Sequence, residues 1–108
     1  MAQFESVITY EGVTLVDFYL SWCNPCRDIK RLIVELEDEY KKEGKKFHSI
    51  MLEVDTIPSL SRRMKVNEAP VLFFFVNGKE SGKRITGYKE KFVLKARIDS
   101  ELKKLAQA

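Results

Sequence analysis

The stretch Trp22-Cys23-Asn24-Pro25-Cys26 constrains this chain more than any other. Before it lies Val13-Thr14-Leu15-Val16-Asp17-Phe18-Tyr19, rich in branched and aromatic residues, which reads as a buried strand. After it, Ile29, Leu32, Ile33, Leu36 and Tyr40 recur on one face with charges opposite. That pattern is a helix over residues 25–43, stopped by Gly44. A strand therefore delivers two cysteines to the start of a helix. A helix N-terminus carries partial positive charge and unpaired backbone N–H groups, and both favour thiolate over thiol. The expected chemistry is dithiol–disulfide exchange, with Cys23 attacking.

Other uses of the pair fit less well. These are the only two cysteines, and His48 is the only histidine. A structural zinc site needs two further ligands, so no metal is expected. A purely structural cross-link over so short a loop removes little entropy from the unfolded chain.

The remaining elements follow from pattern. Residues 47–54 read as a strand, and Asp55-Thr56-Ile57-Pro58 opens a short helix to about residue 65. Val71-Leu72-Phe73-Phe74-Phe75-Val76 is a strongly apolar strand. Asn77-Gly78 is a hairpin turn, with the return strand expected over residues 83–88. A last helix over residues 90–106 sets Leu94, Ile98, Leu102 and Leu105 on one face. Residues 3–9 suit a short helix or an irregular lead-in. A long strand–helix–strand crossover implies parallel neighbours, and the hairpin adds an antiparallel edge. The expected class is α/β, with helices on a mixed central sheet, in one domain spanning residues 1–108.

Charge and hydropathy narrow the partners. No apolar run reaches the roughly 20 residues of a membrane span. The start lacks the basic and apolar regions of a secretory leader. The net charge is +3. The basic excess lies in the last third, at Lys79, Lys83, Arg84, Lys89, Lys91, Lys95, Arg97, Lys103 and Lys104. Against it stand Glu80, Glu90, Asp99 and Glu101. A patch for an acidic partner is one reading; solvated strand ends and a helix face is the favoured one. Scattered basic residues without interleaved aromatics argue against nucleic acid.

The chain resembles the thioredoxin family over almost its full length. The resemblance rests on Val16-Asp17-Phe18-Tyr19-Leu20-Ser21-Trp22-Cys23-Asn24-Pro25-Cys26. It rests also on Ala69-Pro70-Val71, followed by a strand and Asn77-Gly78-Lys79. It implies a thioredoxin fold, here with the first strand short or missing, because only Met1 to Gln3 precede the first helix. That would leave the strand at residues 47–54 open along one edge, to be covered by a longer N-terminus or paired with another chain. The resemblance makes Cys23 the exposed attacking thiol and Cys26 the buried resolving thiol. It implies a redox-active Cys23–Cys26 disulfide and no bound cofactor. Asp17 falls on the family's buried aspartate, which accepts and returns the proton of the resolving cysteine. Pro70 falls on its cis-proline. Trp22, Asn24, Pro25, Ala69, Pro70 and Gly87 would line the substrate groove. The implied function is a general reductant of protein disulfides in cell redox homeostasis. Its partners would be disulfide-containing proteins and a flavoprotein thioredoxin reductase. The implied location is cytoplasmic, or organellar after removal of a leader. A binding module of a larger assembly, or a secretory-pathway disulfide oxidase or isomerase domain, is the alternative.

Departures from the family pattern matter too. Asn24 replaces a glycine between the cysteines. Met51 stands where a lysine commonly faces the buried aspartate. Arg31 replaces a kinking proline, so a straighter helix is expected. Asp28 brings a negative charge near the helix start, where it would raise a nearby thiol pKa.

Overall fold

The computed structural model describes residues 10–107. The lead-in over residues 3–9 and the fate of the first strand lie outside them. The described chain runs β1 (Val13–Tyr19), α1 (Asn24–Lys42), β2 (Phe47–Glu53), a 3-10 turn (Val54–Thr56) and α2 (Pro58–Arg63). It continues through β3 (Val71–Val76), β4 (Lys79–Glu80), β5 (Ile85–Thr86) and α3 (Lys91–Gln107).

β1 is central. It pairs in parallel with β2, Val13 opposite Phe47, and antiparallel with β3, Val13 opposite Val76. The sheet order is β2-β1-β3-β4, with β5 also pairing β3. Both faces of a central strand are covered, which is why its pattern is nearly continuous apolar rather than alternating. Side chains still alternate across the sheet. Val13 and Leu15 pack with Ile29, Ile33 and Leu36 of α1 and with Leu94 and Ile98 of α3. Val16 and Phe18 pack the other way, with Leu60, Val66, Phe73 and Phe75. Asp17 alternates with these and so faces the α1 side.

α1 runs unbroken through Arg31, and its buried stripe is Cys26, Ile29, Ile33, Leu36 and Tyr40. Lys41 and Lys42 in its last turn suit the negative end of the helix dipole. Gly44, at φ +71°, takes the left-handed conformation that ends it. β2 is an edge strand among the described residues. Part of that edge is already answered from α1. The Ser49 backbone N–H and hydroxyl donate to Glu37 Oε1, at 2.7 and 3.0 Å.

The return of the hairpin departs from the sequence expectation. Asn77 and Gly78 make the turn, but pairing resumes at once in β4, with Val76 opposite Lys79. The chain then leaves the sheet at Ser81-Gly82 and returns only as β5, where Leu72 faces Ile85 and Val71 faces Thr86. Residues 83–88 are thus not one strand. The cause is α3, whose Arg97 guanidinium donates to the Ser81 carbonyl at 2.8 Å. Gly82 sits at φ +67°, and a Cβ there would meet Arg97 at 2.8 Å. A second departure lies in the same place. Glu101, read as one charge on a solvated helix face, is buried, held by Arg97, Ser81 and Lys104.

Candidate active site

β1 runs out at Tyr19, and the chain turns so that the Cys23 N–H donates to the Leu20 carbonyl at 3.3 Å. Cys23 then takes extended backbone angles as the N-cap of α1. Its sulfur fills the place usually taken by a serine or aspartate oxygen. The Cys26 backbone N–H donates to Cys23 Sγ at 3.2 Å. Pro25 sits in the first turn, where a missing N–H costs nothing. The two sulfurs are joined in a disulfide.

The cysteines differ in access. Cys23 is 8% exposed and Cys26 is 2% exposed. Cys23 is therefore more covered than an exposed attacking thiol was expected to be. Its sulfur lies 3.9 Å from the Ala69 carbonyl oxygen. The Ala69–Pro70 bond is cis, as the resemblance implied. The Pro70 carbonyl in turn accepts the Gly87 N–H at 2.9 Å. Three stretches far apart in sequence thus meet: the cysteine turn, the Ala69-Pro70 loop and Gly87. Trp22, beside Cys23, is 72% exposed, and Tyr88, after Gly87, is half-exposed. Asn24 and Pro25 are exposed. The Asn24 side-chain oxygen accepts from the Arg27 guanidinium at 2.7 Å, which fixes the residue between the cysteines against the helix.

Asp17 lies beneath this surface. It is fully buried, and neither carboxylate oxygen has a hydrogen-bond partner. Burial pushes its pKa up to about 7, and the charge of Lys30 acts in the opposite sense. An unpaired carboxyl in such a place is far more costly charged than neutral. Met51 is directly opposite Asp17 in the β1–β2 register. The cation comes instead from α1. Lys30 follows Cys26 by one helical turn, and with Cys26, Tyr19 and Met51 it lines a cavity of about 220 Å³. Sequence reasoning missed Lys30, although its spacing of four from Cys26 puts both on one side of the helix.

Among the described residues no group of three or more His, Cys, Asp or Glu side chains could hold a metal ion. No described helix is long and apolar enough to cross a membrane. The arrangement suits two-sulfur exchange: one sulfur at a helix start, a second behind it, and a carboxyl without hydrogen-bond partners in the core.

The chain is similar to known proteins. The thioredoxin family model matches residues 1–100. A thioredoxin of Staphylococcus aureus is 36% identical over 101 residues, covering 94% of this chain and 92% of that protein. Thioredoxin-1 of Saccharomyces cerevisiae is 33% identical over 82 residues, 76% of each. The solved thioredoxin of Plasmodium falciparum is 25% identical with a TM-score of 0.79, covering 93% of this chain and 92% of that one. Mitochondrial thioredoxin 3 of Saccharomyces cerevisiae, in its oxidised form, has the same fold, with a TM-score of 0.79 at 22% identity and coverage of 92% and 88%. The chain therefore belongs to the thioredoxin family, and is a protein disulfide oxidoreductase of the kind that works through an active-site disulfide rather than a bound cofactor.

Proposed function

We propose that this protein is a general reductant of protein disulfides, with Cys23 as nucleophile, Cys26 as resolving thiol and Asp17 as proton acceptor. The observation that carries the reading is the place of Cys23 Sγ at the helix N-cap, with the Cys26 N–H aimed at it. A thiolate there gains a charge-assisted hydrogen bond and the helix dipole.

In the reduced protein the Cys23 thiolate attacks one sulfur of a substrate disulfide. A Cys23–substrate disulfide forms, and the other substrate sulfur leaves as a thiolate. Cys26 then gives its proton to Asp17 and attacks Cys23 Sγ. The Cys23–Cys26 disulfide forms, and the second substrate thiolate departs. The substrate gains two electrons and leaves as two thiolates, and the protein loses two electrons. The one proton given up by Cys26 stays on Asp17, to pass to a departing thiolate or to water. An acceptor with a pKa of about 7 suits a proton that must move both ways near neutral pH. Trp22, Asn24 and Pro25 on one side, and Ala69, Pro70 and Gly87 on the other, frame the groove for an extended substrate. Recharging would come from a flavoprotein reductase in a reducing compartment, cytoplasmic or organellar.

Three measurements test the reading. Iodoacetamide should modify Cys23 well before Cys26, with an apparent Cys23 pKa below the free value of about 8.5. Cys26→Ser should accumulate the Cys23–substrate disulfide. The Cys23–Cys26 potential should lie nearer the roughly −270 mV known for thioredoxin than the roughly −180 mV of protein disulfide isomerase. Equal labelling of both thiols overturns the assignment, and a potential on the isomerase side of the midpoint overturns the reductant.

A further inference from the structure

The basic residues of the last third do not all serve the fold. Arg97 and Lys104 hold Glu101, and Lys91 bonds Glu35 and Glu39 of α1. Lys46 and Lys103 have no ion-pair partner among the described residues. They stand with Lys45 and Lys95 around a groove of about 500 Å³, whose floor is Leu102 and Leu105. Lys45 approaches Glu43 at 3.6 Å, and Lys95 approaches Asp99 at 3.9 Å; Asp99 is the one acidic residue of the rim. The half-buried leucines belong to the last turns of α3, and they continue the face that packs on the core.

The position separates this groove from the cysteines. The Val13 N–H donates to the Lys46 carbonyl at 2.9 Å, so Lys46 marks the N-terminal end of β1. Cys23 follows the other end of that seven-residue strand. At about 3.3 Å per residue the two ends are roughly 20 Å apart. A molecule seated in the groove leaves the disulfide accessible.

We propose that this groove docks an acidic amphipathic segment of a partner protein, so that the oxidoreductase is held in place while its active site works on something else. Apolar side chains of the segment would cover Leu102 and Leu105, and its carboxylates would meet Lys46 and Lys103 on the rim. Charge decides between occupants. A second copy of this chain would bring four lysines against four lysines, which opposes pairing. The chain's own residues 1–9 carry a single carboxylate, Glu5. A single strand of nucleic acid needs stacking surfaces, and this groove has no aromatic lining.

The test uses a short, fluorescently labelled helix-forming peptide with Leu at i, i+3 and i+4 spacing and Glu elsewhere. Anisotropy should show saturable one-to-one binding in both redox states, weakened by added salt. Lys46→Glu together with Lys103→Glu should weaken it about tenfold or more, while Cys23 alkylation and insulin reduction stay unchanged. Amide shifts should cluster at residues 45–46 and 102–106. The proposal is overturned by absent or non-saturable binding, by equal binding to the double variant, or by equal binding of the same peptide with Lys in place of Glu. Shifts centred on Trp22 and Pro70 also overturn it. So does association with phosphatidylserine vesicles when the peptide does not bind, which would make the groove a lipid surface.

Discussion

Asp17 and Glu101 are both carboxylates sealed from water, 0% and 1% exposed, and they behave in opposite ways. Asp17 has no hydrogen-bond partner, and burial drives its pKa up to about 7. For Glu101, burial also pushes upward, but hydrogen bonds from Ser81, Arg97 and Lys104 outweigh it and leave the pKa below its ordinary value. The Ser81 hydroxyl donates to one oxygen at 2.6 Å and Arg97 Nε to the other at 2.7 Å. Burial alone therefore does not decide whether a carboxyl keeps its charge. The donors around it do. One end of the molecule withholds donors and leaves a carboxyl whose pKa burial raises to about 7. The other end supplies them and makes a fixed joint between α3 and the hairpin.

Removing the joint should have the largest effect on stability. Glu101→Ala leaves Arg97 and Ser81 facing a gap in the core, and should cost about 3 kcal/mol in urea unfolding at pH 7. A group with a lowered folded pKa stabilises above the ordinary carboxylate range and loses this as pH falls through the folded value. Wild type and variant should therefore converge in acid. A cost under about 1 kcal/mol, or one independent of pH, would mean that the donors around Glu101 do not stabilise its charge.

Asp17→Asn should move stability the other way. A carboxyl with a folded pKa of about 7 favours the fold at low pH, and that contribution disappears as pH rises from about 4 to 7. At pH 8 the variant should gain about 1–3 kcal/mol, less than full relief because its amide is still buried without partners. The gain should vanish below about pH 4. Resolution of the mixed disulfide should slow about tenfold or more, with Cys23 attack largely kept. Unchanged stability and turnover together would make Asp17 merely structural.

Smaller changes sharpen the contrast. Ser81→Ala removes one donor to Glu101 and the acceptor of Lys104, and should cost about 1 kcal/mol by chemical denaturation, with turnover unchanged. Lys30→Met should raise the pH midpoint of Cys26 alkylation by about half a unit or less, because Lys30 is exposed and its field is screened by water. A downward shift would mean that Lys30 does not act on Asp17.

What could be read from the chain, and what could not, follows the same division. β1 and β3 announce themselves because their side chains meet both layers of the core, and α1 because a long buried stripe meets one of them; such elements carry strong patterns. The cysteine turn was equally plain, since a strand end, a proline and a helical stripe adjoin it. Asp17 was visible as an acid within an apolar run, whereas the cis Ala69–Pro70 bond and the grouping with Gly87 rested on family resemblance. The split return strand was not visible. Its break at Ser81-Gly82 depends on Arg97, 16 residues further along, reaching back to the Ser81 carbonyl. Glu101 looked like any helix-surface charge, because nothing local shows that Arg97 and Lys104 will fold around it. Lys30 was passed over for a similar reason: its influence on Asp17 crosses from helix to strand.

The place of Asp17 in the sheet sets the order in which the site is completed. Asp17 lies between Met51 and Leu72, so it is enclosed only when β3 docks on β1. That docking closes a loop of more than fifty residues between Phe18 and Val71, which is among the slower events of folding because so much chain must be gathered first. Both cysteines leave the ribosome well before β3 does. Through that interval they lack the Ala69 carbonyl and the enclosed Asp17 alike. The full surroundings of the two sulfurs are thus a late acquisition, delivered by the same strand that completes the sheet.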